Sequence, residues 1–178
     1  GLPVRGDVAQ ALLAQGITVL RYGGSMVNCG EYRWKKMIGP RDLRPPYHGT
    51  WYRYSTNGWG IVDFIAFCEA AGFACIPAFN MGETPHDMAD FVEYVNGPAD
   101  SPWGRRRAAD GHPEPYRLKY LQLGNEEGVD VLLAAGAAVV VNVRTNRAEA
   151  DAVAGEIEGH GGQALAVVAD IADRAAVD

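Results

Sequence analysis

Gly124, Asn125 and Glu126 close a run, LKYLQLGNEE, whose apolar pattern reads as a strand. A carboxyl group at a strand tip can act as a general acid when its surroundings raise its pKa. Glycosidic bond cleavage is one reaction that uses such a group. A retaining enzyme pairs it with a second carboxylate about 5 Å away that serves as nucleophile. Asn125, next to it, carries both a donor and an acceptor for the hydroxyl beside the reacting carbon. Glu127 fits better as an exposed loop carboxylate. Two further polar residues end strand-like runs: Arg21 near the close of ITVLRYGG and Asn80 at the close of ACIPAFN. An Arg after a strand is often only an ion pair, and an Asn often a turn residue. Their shared position at strand ends lifts the reading as a site level with the bland ones. Trp34, Trp51, Trp59 and Trp103, with their Tyr neighbours, offer flat apolar rings suited to the C–H faces of a sugar. Any one of them alone is more often a core side chain.

The elements that must position these residues alternate. Arg5 to Gln15 has helical spacing and stops at Gly16; ITVLRYGG follows as a buried strand. Residues 25–58 form a long irregular stretch, too aromatic for disorder. GIVDFIAFCEAAG is an amphipathic helix with Gly72 as its stop. ACIPAFN is a second strand, with Pro77 an objection to a central place in a sheet. TPHDMADFVEYVNG opens with Thr84 as N-cap and Pro85 in the first turn, and closes at Gly97. LKYLQLGNEE is the third strand. Helix, strand, helix, strand, helix, strand implies a parallel sheet, with chemistry gathered at the C-terminal edge.

Composition divides the chain at about residue 130. All 17 aromatic residues and all 10 prolines precede position 131; of the 48 residues beyond it, 14 are Ala. No Pro/Gly linker marks the change, which reads as two unrelated pieces meeting abruptly, 1–130 and 131–178. The net charge of −6 argues against a nucleic-acid surface, and Arg105–Arg106–Arg107 reads as a solvated loop or helix start. Three cysteines without metal spacing imply no metal, and Cys68 and Cys75 read as buried thiols. No apolar run reaches the roughly 18 residues of a membrane span, and no signal peptide is visible. The first residue is Gly1, so the N-terminus is expected to be incomplete and the compartment stays open.

LRYGGSMVN, YRWKKMIGPRDLRPP, STNGWGIVDFIAFCEAAG, PAFNMGETPHDMADFVEYVNG and WGRRRAADGHPEPYRLKYLQLGNEE, in that order, resemble the α-L-arabinofuranosidases of glycoside hydrolase family 51. The resemblance implies a (β/α)₈ barrel that hydrolyses terminal arabinofuranosyl bonds with retention and needs no cofactor. It makes Glu126 the acid/base and Asn125 a sugar contact; Arg21 and Asn80, from their strand-end positions, and Trp51, as a flat ring, are expected to bind substrate beside them. The partner is then an arabinofuranosyl-containing oligosaccharide or polysaccharide. The family's Pro-Gly-Gly-Asn stretch is replaced here by Tyr22-Gly23-Gly24-Ser25, and no counterpart of its nucleophilic Glu follows Glu127. A barrel of about 250 residues exceeds the chain, so only a portion is expected, with weak or no turnover. Its exposed sheet edges would favour self-association.

Residues 131–178 read as strand 138–143, a helix capped by Asn146, a further strand QALAVVAD, and a last helix begun by DRAAVD. They resemble the second and third strands of short-chain dehydrogenases, a partial Rossmann-like βαβ unit. That resemblance would set Arg144 and Asn146 against an NADP phosphate and Asp170 against adenine. The Gly-rich phosphate loop and the Tyr-x-x-x-Lys of that family are absent, so an NADP-dependent oxidoreductase is the alternative reading. A non-catalytic carbohydrate-binding remnant is the third.

Overall fold

The computed structural model describes residues 4–49, 52–126, 138–143, 146–159 and 163–168. The chain divides into two compact units, Gly1–Asn125 and Glu126–Asp178. The compositional change at residue 130 lies outside the described residues.

The first unit follows the predicted alternation. Helix α1 spans Gly6–Ala14 and leads into strand β1, Val19–Tyr22. Helix α2, Ile61–Ala71, ends at Gly72, whose φ of +79° forms the left-handed stop that glycine accommodates best. Strand β2 is Ala74–Phe79, helix α3 is Pro85–Asn96, and strand β3 is only Gln122–Leu123. The order is β1-β2-β3, all parallel, so β2 is central. Pro77 is tolerated there because pairing with β3 begins one residue later, at Ala78 opposite Gln122. The missing N–H therefore removes no ladder bond on that side.

Two parts of this unit differ from the sequence reading. Residues 102–109 form a helix, α4 (Pro102–Ala109), capped by Ser101, whose hydroxyl accepts from the Gly104 N–H at 3.1 Å. Arg107 is consequently not solvated. It is fully buried on α4 and donates to the carbonyls of His112, Tyr94, Gly97 and Pro113 at 2.8–3.0 Å. The stretch after residue 25 contains three short 3₁₀ turns, Ser25–Asn28, Trp34–Met37 and Arg41–Leu43. Trp34 is fully buried, its indole donates to Asp87 O at 2.9 Å, and it packs edge-on to Phe91 and Trp103. That ring belongs to the core and is not available to a sugar.

A charged staple holds the 3₁₀ stretch to α2. Asp63, at the third position of α2, accepts from the Gly60 N–H at 2.9 Å and from both Arg41 (2.7 Å) and Arg44 (2.5 Å). Burial works to raise the Asp63 pKa, but the bonds from Arg44, Gly60 and Arg41 outweigh it and hold the carboxyl below its usual range. The core gathers Val27, Met37, Ile61, Ile65, Phe79, Phe91 and Tyr94 between helices and sheet.

In the second unit, strand β4 (Ala138–Val143) pairs in parallel with strand β5 (Gln163–Val168). Helix α5, Arg147–Gly159, connects them and buries Ala150, Ala154 and Ile157. The predicted final helix, from Asp173, lies outside the described residues. Among the described residues no helix is long and apolar enough to cross a membrane.

Candidate active site

Arg21, Asn80 and Asn125, singled out at the strand ends, lie at the C-terminal edge of the β1-β2-β3 sheet. Parallel pairing puts Tyr22 opposite Pro77 and Phe79 opposite Leu123, so the three strands deliver their ends to one rim. The turn after β1 needs glycine: a Cβ on Gly23 would stand 2.8 Å from the Ala78 Cβ, and its φ is +147°. After β3, the Gly124 N–H donates to Phe79 O at 2.7 Å, and Gly124 turns away with φ +70°. These two turns set the reach of Arg21 and Asn125.

Arg21 is exposed and bridges two positions of the third strand run. Its Nε donates to Gln122 Oε1 at 2.8 Å, and its Nη2 to Asn125 Oδ1 at 2.7 Å. Asn125 is 6% exposed, and its Nδ2 donates to Asn28 Oδ1 at 3.3 Å. Asn28 in turn donates through Nδ2 to the main-chain oxygen of Asn125 at 2.9 Å. The Asn125 amide thus has its oxygen on a cation and its nitrogen on a second amide. That fixes which end faces which way, a distinction a lone Asn does not carry.

Asn80 is also at the rim, but its amide is committed to protein. It donates to Val27 O and to Cys29 O (2.9 Å), and accepts from Arg33 (2.8 Å) and the Gly82 N–H (2.7 Å). Its work is to pin the loop that follows β1. Glu126 is exposed and has φ +53°, a left-handed conformation uncommon for a side chain larger than glycine. Trp51 lies outside the described residues, as do Arg144 and Asp170. Asn146 is exposed, and its carbonyl accepts from the Ala150 N–H at 3.3 Å at the start of α5.

The sequence reading missed Asn28. Its signal was weak: an Asn inside an irregular loop, 97 positions from its partner. Burial also tunes two tyrosines behind the rim. Tyr22 stacks on Phe64 at 5.2 Å, donates to Trp59 O, and has its pKa pushed up to about 12, mainly by burial. Burial likewise raises Tyr32, whose hydroxyl bonds Ala78 O. Both stay neutral over any physiological range, so neither serves as a base.

Away from the strand ends the surface is also concave. A cleft of about 320 Å³ under Gly39 is lined by Pro40, Arg41, Arg44, Asp63 and Asp110. Its charges already pair internally, Asp63 with Arg41 and Arg44, and Asp110 with Arg106. We take as the candidate site the strand ends, where Arg21 and Asn125 converge.

The family described as the alpha-L-arabinofuranosidase 1 domain matches residues 11–134. The chain is 37% identical over 124 residues to alpha-L-arabinofuranosidase C of Emericella nidulans, covering 68% of this chain and 24% of that protein. It is 38% identical over 125 residues to an intracellular exo-alpha-(1→5)-L-arabinofuranosidase of Bifidobacterium longum, covering 68% and 22%. Among solved structures, the arabinose complex of an alpha-L-arabinofuranosidase from Thermotoga maritima superposes with a TM-score of 0.65 at 28% identity. That match covers 94% of this chain and 34% of the other. A family 51 alpha-L-arabinofuranosidase from Bifidobacterium longum gives 0.67 at 28%, covering 96% and 33%. The chain spans about a quarter of the length of the curated relatives it matches.

Proposed function

The chain belongs to the α-L-arabinofuranosidase 1 domain family, and from that premise we propose that it carries the acid/base half of an arabinofuranosyl-hydrolysing site. Glu126 acts as the acid/base. Asn125 holds the hydroxyl next to the anomeric carbon, and Arg21 holds Asn125 and the sugar's edge. Asn80 pins the loop beneath, and Trp51 supplies an apolar face. One observation carries the reading: the Asn125 amide, clamped between Arg21 and Asn28 at the rim of a parallel sheet, immediately precedes Glu126 in the sequence.

The chemistry follows from these groups. In a retaining cleavage the Glu126 carboxyl gives its proton to the glycosidic oxygen as the bond to the anomeric carbon breaks. A second carboxylate takes that carbon as a glycosyl ester. Glu126, now ionised, then takes a proton from the water that releases the sugar. The 178 residues offer no assigned counterpart of the second carboxylate, so this polypeptide should bind arabinofuranosyl ends with turnover near background. No metal or organic cofactor enters these steps.

Titration of the 178-residue chain with an α-1,5-linked arabino-oligosaccharide, followed by tryptophan fluorescence or calorimetry, tests the proposal. Binding that weakens in Asn125→Ala is expected; no binding by a folded chain overturns it. Turnover of an aryl arabinofuranoside that vanishes in Glu126→Ala would overturn the expectation of near-background activity.

Strands β4 and β5 with helix α5 make a parallel β-α-β unit. A barrel and a doubly wound sheet share that arrangement, so it lends no weight to Arg144, Asn146 and Asp170 as dinucleotide contacts. We keep self-association through sheet edges as part of the proposal. Among the described residues β1 and β3 each pair on one side, with β2.

A further inference from the structure

We propose that Asn28 is a positioning residue of this site, holding the side-chain amide of Asn125 and the peptide that joins Asn125 to Glu126 at the same time. The inference rests on the reading of Glu126 as the acid/base. Asn28 Nδ2 donates to the Asn125 main-chain oxygen at 2.9 Å, and Asn28 Oδ1 accepts from Asn125 Nδ2 at 3.3 Å. That carbonyl lies in the same rigid plane as the N–H of Glu126. Fixing its direction therefore fixes where the Glu126 backbone begins, in a conformation with φ +53° that a free chain seldom holds.

Asn28 is itself held in place. It ends the 3₁₀ turn Ser25–Asn28, entered through Gly24, whose carbonyl accepts from the Val27 N–H at 2.9 Å. The carbonyls on both sides of it, of Val27 and Cys29, accept from the buried amide of Asn80. A buried Asn on β2's end thus fixes the loop from β1, and the loop's exposed Asn28 reaches across to the end of β3. An amide on the surface has water as a ready alternative, so its bonds add little net stability to the fold. The pair it makes is explained by what it orients.

Two substitutions separate the bonds. Asn28→Asp keeps the acceptor for Asn125 Nδ2 and loses the donor to the Asn125 carbonyl; Asn28→Ala loses both. In the full chain labelled with ¹³C and ¹⁵N, the Asn125 carbonyl and Glu126 amide resonances should move in both variants. The Asn125 side-chain amide should move much further in Asn28→Ala than in Asn28→Asp, with the rest of Gly1–Asn125 unchanged. Affinity for the arabino-oligosaccharide should fall on the order of fivefold to tenfold in Asn28→Ala, the worth of one net hydrogen bond. Unmoved Asn125 and Glu126 resonances overturn the proposal, and so does a shift spread over the whole unit. Selective movement in a chain that binds no arabinofuranosyl ligand upholds the positioning role and refutes the sugar function instead.

Discussion

Arg107 and Arg21 carry the same guanidinium and spend it in opposite ways. Arg107 is fully buried, with no carboxylate among the acceptors described for it, and gives its protons to four main-chain carbonyls. Two of these, Tyr94 and Gly97, belong to the C-terminal end of α3, where the helix dipole is negative. The charge is thus balanced by dipoles and closes the corner between α3, α4 and residues 112–113. Arg21 is exposed and bonds side-chain amides, Gln122 and Asn125, which water or a ligand hydroxyl could replace at small cost. A polar group wholly returned to backbone is scaffold. One tied to other side chains at an open rim can answer a ligand.

The sharpest way to break that contrast is Arg107→Met. It strands four carbonyls and removes the cation that crosslinks them, so the loss should be about 3–5 kcal/mol. Urea unfolding followed by tryptophan fluorescence measures it, since all four Trp lie in the first 130 residues. A loss below about 1 kcal/mol would place Arg107 with Arg21 rather than against it.

Asp63→Asn comes next. It weakens the bonds to Arg41 and Arg44 and the cap at Gly60, for an expected loss of about 2–3 kcal/mol. The pH dependence follows from the sign of the shift. Asp63 is held below its usual range in the folded chain, so its contribution is present above about pH 4 and fades as pH falls. Asp87, brought down to about 2 by the bonds from Lys35 and Thr84, has the same sign and extends the decline towards pH 2. Stability measured against pH should therefore fall steadily below pH 4 in the parent chain and less steeply in Asp63→Asn.

Thr84→Ala is smaller. Its hydroxyl accepts from the Asp87 N–H at 3.0 Å, and loss of that cap should cost about 1 kcal/mol. This cap also shows what was legible in advance. Thr84-Pro85 and Gly72 announced the start and stop of their helices because caps depend on neighbours in sequence. The order of strands and helices and the gathering of Arg21, Asn80 and Asn125 at one edge were legible for the same reason: alternation of elements dictates a parallel sheet. The destination of Arg107 was not, because four carbonyls spread over residues 94–113 meet it only after α3 and α4 pack. Asn28 was hidden likewise, since its partner lies 97 positions away, just past the end of β3. Trp34 was ambiguous because aromatic rings serve cores and sugar faces equally well, and only burial distinguishes the two.

Arg21→Gln should have the smallest effect on stability, within about 0.5 kcal/mol, because an exposed side chain loses bonds that water replaces. Its effect on binding should be the reverse. Without the guanidinium, the Asn125 oxygen loses its charge-assisted donor, and the amide is held less firmly in its orientation. Binding of the arabino-oligosaccharide should then weaken on the order of tenfold, the size of a charge-assisted bond, while the urea midpoint stays put. Arg107→Met should show the opposite split under conditions where it remains folded, with affinity kept and midpoint lowered. If Arg21→Gln instead lowers the midpoint and spares affinity, the strand-end arginine is a cross-strand tie, and the site must be sought away from this rim.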